Sequence, residues 1–141
     1  MKKIATIQDI SCFGKCSLTV ALPIISAMGI ETAVIPTAVL STHTGGFTGY
    51  TFRDLTEDIP KIAEHWKSIG IEFAGIYTGY LGSKEQIRIV SDFFDDFGTA
   101  DNFIAVDPAM ADFGRLYAGF DEVLFPQWQS FAARQTISCL I

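Results

Sequence analysis

Two carboxylates and a proline follow an apolar run late in this chain. Phe103-Ile104-Ala105-Val106 stops at Asp107-Pro108-Ala109-Met110-Ala111-Asp112. A buried strand ending there would present hard oxygen ligands. Asp107 and Asp112 suit Mg²⁺, which takes one or two carboxylates, keeps several waters and bridges nucleotide phosphates. Tyr117, close to Gly114 and Arg115, could lie over such phosphates. Polar residues also close the other apolar runs: Asp9, Thr37 and Thr78-Gly79-Tyr80. Together they offer an acceptor, hydroxyls, an aromatic ring and a glycine that permits close approach. That set suits a small, polar, aromatic ligand. His43 stands in the polar loop Ser41-Thr42-His43-Thr44-Gly45-Gly46-Phe47-Thr48-Gly49. Plainer roles exist for each residue. Asp9 could cap a helix, Thr37 and Asp107 could serve turns, and His43 could be a solvated surface histidine.

These residues matter as a group only if the elements bring them together. Residues 3–7 read as a short buried strand. Residues 17–28 read as a helix with Leu18, Ala21, Leu22 and Ile25 on one face, stopped by Gly29. Pro23 should kink it or delay its start. Residues 32–35 form a second strand ending at Pro36-Thr37. Residues 56–67 form an amphipathic helix with Pro60 in its first turn and an inner stripe of Ile59, Ile62, Ala63 and Trp66. A third strand spans 71–77. Ser83 opens the next helix, and Gln86 completes a capping box. Ile87, Val90, Phe93, Phe94 and Phe97 face inward, and Gly98 closes that helix. Residues 103–106 are the fourth strand. Strands alternating with helices predict an α/β fold with a mainly parallel sheet covered on both faces. Ligands bind such sheets outside the carboxyl ends of the strands, which is where the candidate residues fall.

The bulk properties narrow the classes. With 141 residues, 49% of them apolar and 18% charged, the chain can bury the core of one domain. A net charge of −6 argues against nucleic acid and against anionic membrane surfaces as partners. No apolar run reaches the roughly 18 residues that span a bilayer. Gln8, Asp9 and Lys15 interrupt any signal-peptide h-region, so a cytoplasmic protein is expected. Cys12, Cys16 and Cys139 form neither a disulfide pattern nor a zinc set. Neither a P-loop nor a G-x-G-x-x-G after the first strand is present, so phosphate would be held another way.

Four segments carry a resemblance: Ile7-Gln8-Asp9 with Gly14; Thr37 with Ser41-Thr42-His43-Thr44-Gly45; Thr78-Gly79-Tyr80-Leu81-Gly82; and Asp107 to Asp112 with Gly114-Arg115-Leu116-Tyr117. From about Lys3 to Glu122 the chain closely resembles the pyridoxal/pyridoxamine kinases of the ribokinase-like superfamily. Their relatives include the hydroxymethylpyrimidine (phosphomethylpyrimidine) kinases. The resemblance implies a three-layer α/β/α ribokinase-like fold, truncated in its C-terminal half. It also implies ATP- and Mg²⁺-dependent phosphorylation of the 5′-hydroxymethyl of a B6 vitamer, and a possible homodimer. Asp9, Thr37, His43 and Tyr80 would then bind the vitamer. Asp107, Asp112 and Tyr117 would face the phosphates, with Asp107 and Asp112 toward the metal. The family's glycine-rich anion hole, catalytic base and most of its adenine pocket belong to the later half, so no catalytic residue is assigned here. Ala109 and Ala111 replace the family's usual Val and Gly, and a Cβ at 111 would crowd a backbone approach to phosphate. Two other readings stay open: a hydroxymethylpyrimidine kinase, and a pyridoxal-binding module without turnover.

Residues 1–122 thus read as the N-terminal part of one kinase domain, and residues 123–141 as an aberrant tail. Leu124-Phe125-Pro126-Gln127-Trp128-Gln129-Ser130-Phe131 shows no usable amphipathic period. Codons for residues 134–141, read in a shifted frame, can encode Ala-Asp-Asn-Ile-Leu-Pro-Asn, which resembles the family's next strand. A frame-shifted tail should pack poorly, and the sheet should keep an unpaired edge, which favours association.

Overall fold

The computed structural model describes residues 2–109, 111–112, 115–116 and 125–136. In chain order these form β1 (Lys3–Ser11), α1 (Leu18–Ala27), β2 (Glu31–Leu40), β3 (Phe52–Asp54), α2 (Ile59–Ser68), β4 (Gly75–Thr78), α3 (Lys84–Phe97), β5 (Phe103–Val106), β6 (Ala111–Asp112), β7 (Arg115–Leu116) and α4 (Phe125–Ala132). A single 3₁₀ turn, Thr56–Asp58, leads into α2. Five strands make one sheet in the order β3-β2-β1-β4-β5, and β6 pairs with β7 as a separate ribbon. All pairs in the large sheet are parallel except β2 with β3. The expected mainly parallel α/β sheet is therefore present.

Strand alternation decides the faces. Ala5 and Ile7 of β1, Ile35 of β2, Ile76 of β4 and Val106 of β5 join one core with Ile59 and Ala63 of α2 and with Ile87, Val90, Phe93, Phe94 and Phe97 of α3. Phe93 stacks on Phe97 at 4.4 Å between ring centres. Each such fully buried apolar side chain stabilises the fold by about 1.5–3 kcal/mol. Leu18 of α1 is buried outside that cluster. Right-handed crossovers place α1 on the opposite face of the sheet, giving three layers.

Several boundaries differ from the expected ones, for identifiable reasons. β1 runs on to Ser11 and β2 to Leu40, because their extensions pair with each other: Ile10 lies opposite Val39 and Ser11 opposite Leu40. Pro36 is internal to β2. β3 pairs only with Ala38, Val39 and Leu40, so β2 has no outer partner at Pro36 and its missing N–H breaks no ladder bond on that side. Pro23 neither delays nor ends α1. It sits exposed near an exposed Thr19, so water can serve the carbonyl that loses its donor. β4 starts only at Gly75, four residues later than expected.

The expectation that the tail packs poorly is corrected for residues 125–136. Residues 125–132 form α4, with Trp128 and Phe131 buried in the main core. The two aromatics stand three apart, so they share one helix face. Phe131 stacks on Phe94 of α3 at 5.0 Å. Beyond α4, the Thr136 N–H donates to the Ile104 carbonyl at 2.8 Å, and the Ile104 N–H donates to the Thr136 hydroxyl at 3.1 Å. The edge of β5 is thus engaged at Ile104 rather than open.

The connection before β5 hangs on Asn102. Its Nδ2 donates to the carbonyls of Phe97 at 2.7 Å and Phe73 at 3.3 Å, and its Oδ1 accepts from the Thr99 N–H at 2.9 Å. Asn102→Ala should cost about 1–3 kcal/mol through the acceptors left dry. A lower urea midpoint at an unchanged slope would show it.

Candidate active site

The chain leaves β1 in one direction to build β2 and β3, then returns past β1 to build β4 and β5. The strand order therefore reverses between β1 and β4. Crevices at such reversals, outside the carboxyl ends of the strands, are where open α/β sheets bind ligands. Asp9 of β1 and Gly79-Tyr80 after β4 flank this point. Their levels match: Ile7 pairs with Thr78, and the Gly79 N–H donates to the Ile7 carbonyl at 3.0 Å.

Asp9 is buried in the stretch where the β1–β2 register shifts, between Gln8 and Ile10. A bulge there re-aims a side chain out of the regular pleat. The Ser11 hydroxyl donates to Asp9 Oδ2 at 3.2 Å. Tyr80 is half-buried, and burial pushes its phenol above the usual value near 10, helped by the Asp9 carboxylate and then by Tyr50. The phenol is thus held protonated as a donor facing an acidic neighbour. Asp9, Tyr80 and Tyr50 form one electrostatic group. Tyr50 was not singled out from the sequence, because it follows a glycine loop and lies outside any strand end. Gly79 allows a close approach: a Cβ there would press on the Gln8 side chain at 3.0 Å.

Thr37 and Thr78 continue the core-facing sides of β2 and β4, where Ile35 and Ile76 precede them. The core turns polar at its carboxyl end. Both residues are buried, at 1% and 0% exposure, and neither hydroxyl has a hydrogen-bond partner among the described residues. Dry, unbonded hydroxyls are uncommon in folded proteins, and a buried water is their ordinary partner.

His43 belongs to a second tier formed by two touching loops. Its N–H donates to the Phe13 carbonyl at 2.7 Å, and Phe13 meets Phe47 edge-on at 5.8 Å. The ring turns onto its own loop, where the Gly45 N–H donates to Nδ1 at 3.1 Å. Gly14, at φ +106°, could not carry a side chain, since a Cβ would stand 2.7 Å from His43 Cβ. His43 is therefore packed between the loops at residues 12–17 and 41–50.

Asp107 follows β5 at the same level as the other strand ends, its N–H donating to the Thr78 carbonyl at 3.0 Å. Asp112 lies on β6, paired in register with Arg115 of β7. Tyr117 falls outside the described residues. No cluster of three metal-binding side chains occurs among the described residues. A Mg²⁺ that keeps most of its waters and bridges phosphates asks only one or two carboxylates of a protein. A groove of about 1160 Å³ between α2 and α3 contains none of these residues. Some of its charges pair with each other, Lys67 with Asp96, Lys61 with Asp58, and Arg88 with Glu85 and Asp92.

No family model and no curated protein matches the chain. Solved structures do. A Bacteroides thetaiotaomicron protein with the provisional name phosphomethylpyrimidine kinase is 47% identical, with a TM-score of 0.91 over 95% of this chain and 46% of its own. Pyridoxal kinase from Lactobacillus plantarum is 30% identical, with a TM-score of 0.86 over 94% of this chain and 47% of its own. Over the matched residues this chain has a ribokinase-like fold. It spans about half the length of these ribokinase-like relatives. A second crystal form of the Bacteroides protein, with pyridoxal, is 48% identical, with a TM-score of 0.88 over 93% of this chain and 46% of its own. Pyridoxal kinase from Leishmania donovani, in complex with ADP and ginkgotoxin, is 23% identical at a TM-score of 0.82, over 96% of this chain and 48% of its own. At that identity the likeness is one of fold. No described helix of this ribokinase-like part is long and apolar enough to cross a membrane.

Proposed function

We propose that this chain forms the vitamer-binding side, and one wall of the phosphate side, of a kinase cleft. The reaction would transfer the γ-phosphoryl of ATP to the 5′-hydroxymethyl of a B6 vitamer. The vitamer oxygen bonds to phosphorus, the bond to ADP breaks, and the hydroxyl proton leaves to a base. The observation that carries this reading is the grouping at the β1/β4 reversal. There a buried carboxylate, Asp9, stands near a protonated phenol, Tyr80, at the carboxyl ends of β1 and β4. A pyridine ring bearing hydroxyl and carbonyl substituents offers donors and acceptors to such a set. The crystal form with pyridoxal of the 48% identical relative supports the same ligand class.

Asp9, Thr37 and Tyr80 would contact the ring and its substituents, with His43 closing the side formed by the two loops. Asp107, Asp112 and Tyr117 would face the phosphates. Mg²⁺ at Asp107 and Asp112 would neutralise charge on the transferring group. The base and the anion hole belong to the half of the fold beyond these residues. Preorganised donors to developing charge are worth several kcal/mol, so the 141 residues alone should bind without turnover.

The provisional name of the 47% identical relative favours a second reading, a hydroxymethylpyrimidine substrate. Titrating the protein with pyridoxal, pyridoxamine and hydroxymethylpyrimidine, by equilibrium dialysis, separates the two. Saturable binding is expected for the B6 vitamers and weaker binding for the pyrimidine. The reverse order would move the assignment to the pyrimidine, and no saturable binding of any would end the ligand reading. ATP-coupled turnover by this chain alone would show that the base lies within it.

A further inference from the structure

Gln86 is 3% exposed and sits at the third position of α3. Its backbone N–H donates to the Ser83 hydroxyl at 3.1 Å, which caps the helix. In a reciprocal capping box its side chain would return to the Ser83 N–H. It does not. Oε1 accepts from the Gly82 N–H at 2.9 Å, while Nε2 donates to the Thr37 carbonyl at 3.2 Å and to the Thr56 hydroxyl at 2.9 Å. Both amide protons are thus used. The Thr37 carbonyl also accepts from the Leu55 N–H at 3.1 Å, so two donors fix it.

The three partners lie on different parts of the cleft. Thr37 belongs to β2, on one side of β1. Gly82 ends the turn that begins at Gly79 and carries Tyr80, on the other side of β1. Thr56 opens the 3₁₀ turn before α2. The Tyr80 ring lies over this turn, since a Cβ on Gly82 would meet it at 3.1 Å.

We propose that Gln86 is a positioning residue that sets the separation of the two cleft walls, Thr37 on β2 and Tyr80 on the β4–α3 turn. It touches no ligand in this arrangement and acts through the two backbones it joins. Helix capping does not need these bonds, because the Ser83 bond survives any substitution of the Gln86 side chain. The ligand consequence rests on the B6-vitamer reading, whereas the mechanical one does not.

Two variants of the 141-residue protein test it. Gln86→Met keeps the length and removes all three side-chain bonds. Gln86→Glu keeps an acceptor for Gly82 and loses the donors to Thr37. Amide hydrogen exchange at Gly82 and Leu55 is followed by NMR, with the α3 amides of residues 89–97 as internal control. Gln86→Met should speed exchange at both sites by about tenfold or more, the loss of a typical buried hydrogen bond, and leave the control unchanged. Gln86→Glu should keep Gly82 protected and release Leu55. Pyridoxal binding should weaken by about tenfold in Gln86→Met. Unchanged exchange at Gly82 and Leu55 would overturn the proposal. So would an equal rise in the helix control, which marks a merely structural role, or parental pyridoxal affinity in Gln86→Met. If the parent protein binds no vitamer, the B6 reading fails by itself, and the exchange pattern still decides for or against Gln86.

Discussion

Trp128→Ala is expected to lower stability by about 3–5 kcal/mol, the usual cost of truncating a fully buried aromatic. The side chain has 0% exposure and meets Phe131 edge-on at 5.6 Å. Phe131 in turn stacks on Phe94, and the Arg134 guanidinium lies 5.5 Å over the same Phe94 ring. Arg134 also donates to the Ser91 carbonyl at 3.0 Å and pairs with Asp95. Against a total of about 5–15 kcal/mol, such a loss should lower the melting temperature by about 10 °C or more. Thermal unfolding followed by circular dichroism reads it. The result also bears on the proposed boundary near residue 122. A tail read out of frame has no selected role in the cooperative unit. If Trp128→Ala melts with the parent, residues 123–141 stand as an appendage, as the frameshift proposal holds. The gene's own reading frame downstream of Glu122 is the independent check.

Asp9→Asn should weaken pyridoxal binding by about 10- to 100-fold, the loss expected when a hydrogen bond to a charged group becomes neutral. The fold should persist, because an asparagine oxygen can still accept from the Ser11 hydroxyl. The same substitution should move the Tyr80 phenol. Burial raises it most and the Asp9 carboxylate next, so removing the charge lowers the value without restoring the ordinary one. A folded-state value above the unfolded value near 10 means that the stability linked to Tyr80 is full below about pH 10. It is lost as pH rises through the folded value, and in Asp9→Asn that loss should be smaller and complete at lower pH. Ultraviolet difference titration against Tyr80→Phe isolates this phenol. Unchanged affinity together with an unchanged phenol would show that Asp9 does not face the site.

Much of the fold was legible because local signals agreed with the tertiary answer. Ser83 and Gly98 bracket α3, and the stripe of Ile59 and Ala63 faces the core as its spacing requires. The extensions of β1 and β2 were not legible. Residues 8–11 mix polar and apolar types without a period, and only their pairing with 36–40 makes them strand. α4 was missed for a related reason. Three aromatics among glutamines, a proline and a serine carry weak periodicity, and Phe94 on another helix decides where Phe131 is buried. At the site, Asp9, Thr37 and Tyr80 could be found as strand ends. Gln86 could be read only as a cap, because its partners Thr37 and Thr56 are far away in sequence. Tyr50 gave no local signal.

The unbonded hydroxyls of Thr37 and Thr78 set two kinds of selection against each other. Valine has nearly the same shape and would give up no hydration on burial, so selection for folding alone would favour it at either position. Hydroxyls kept away from bulk solvent and without a protein partner persist where a trapped water completes them. By this logic the carboxyl ends of β2 and β4 are places where drift toward greater stability would mean drift toward a drier, wholly apolar core beneath the strand ends.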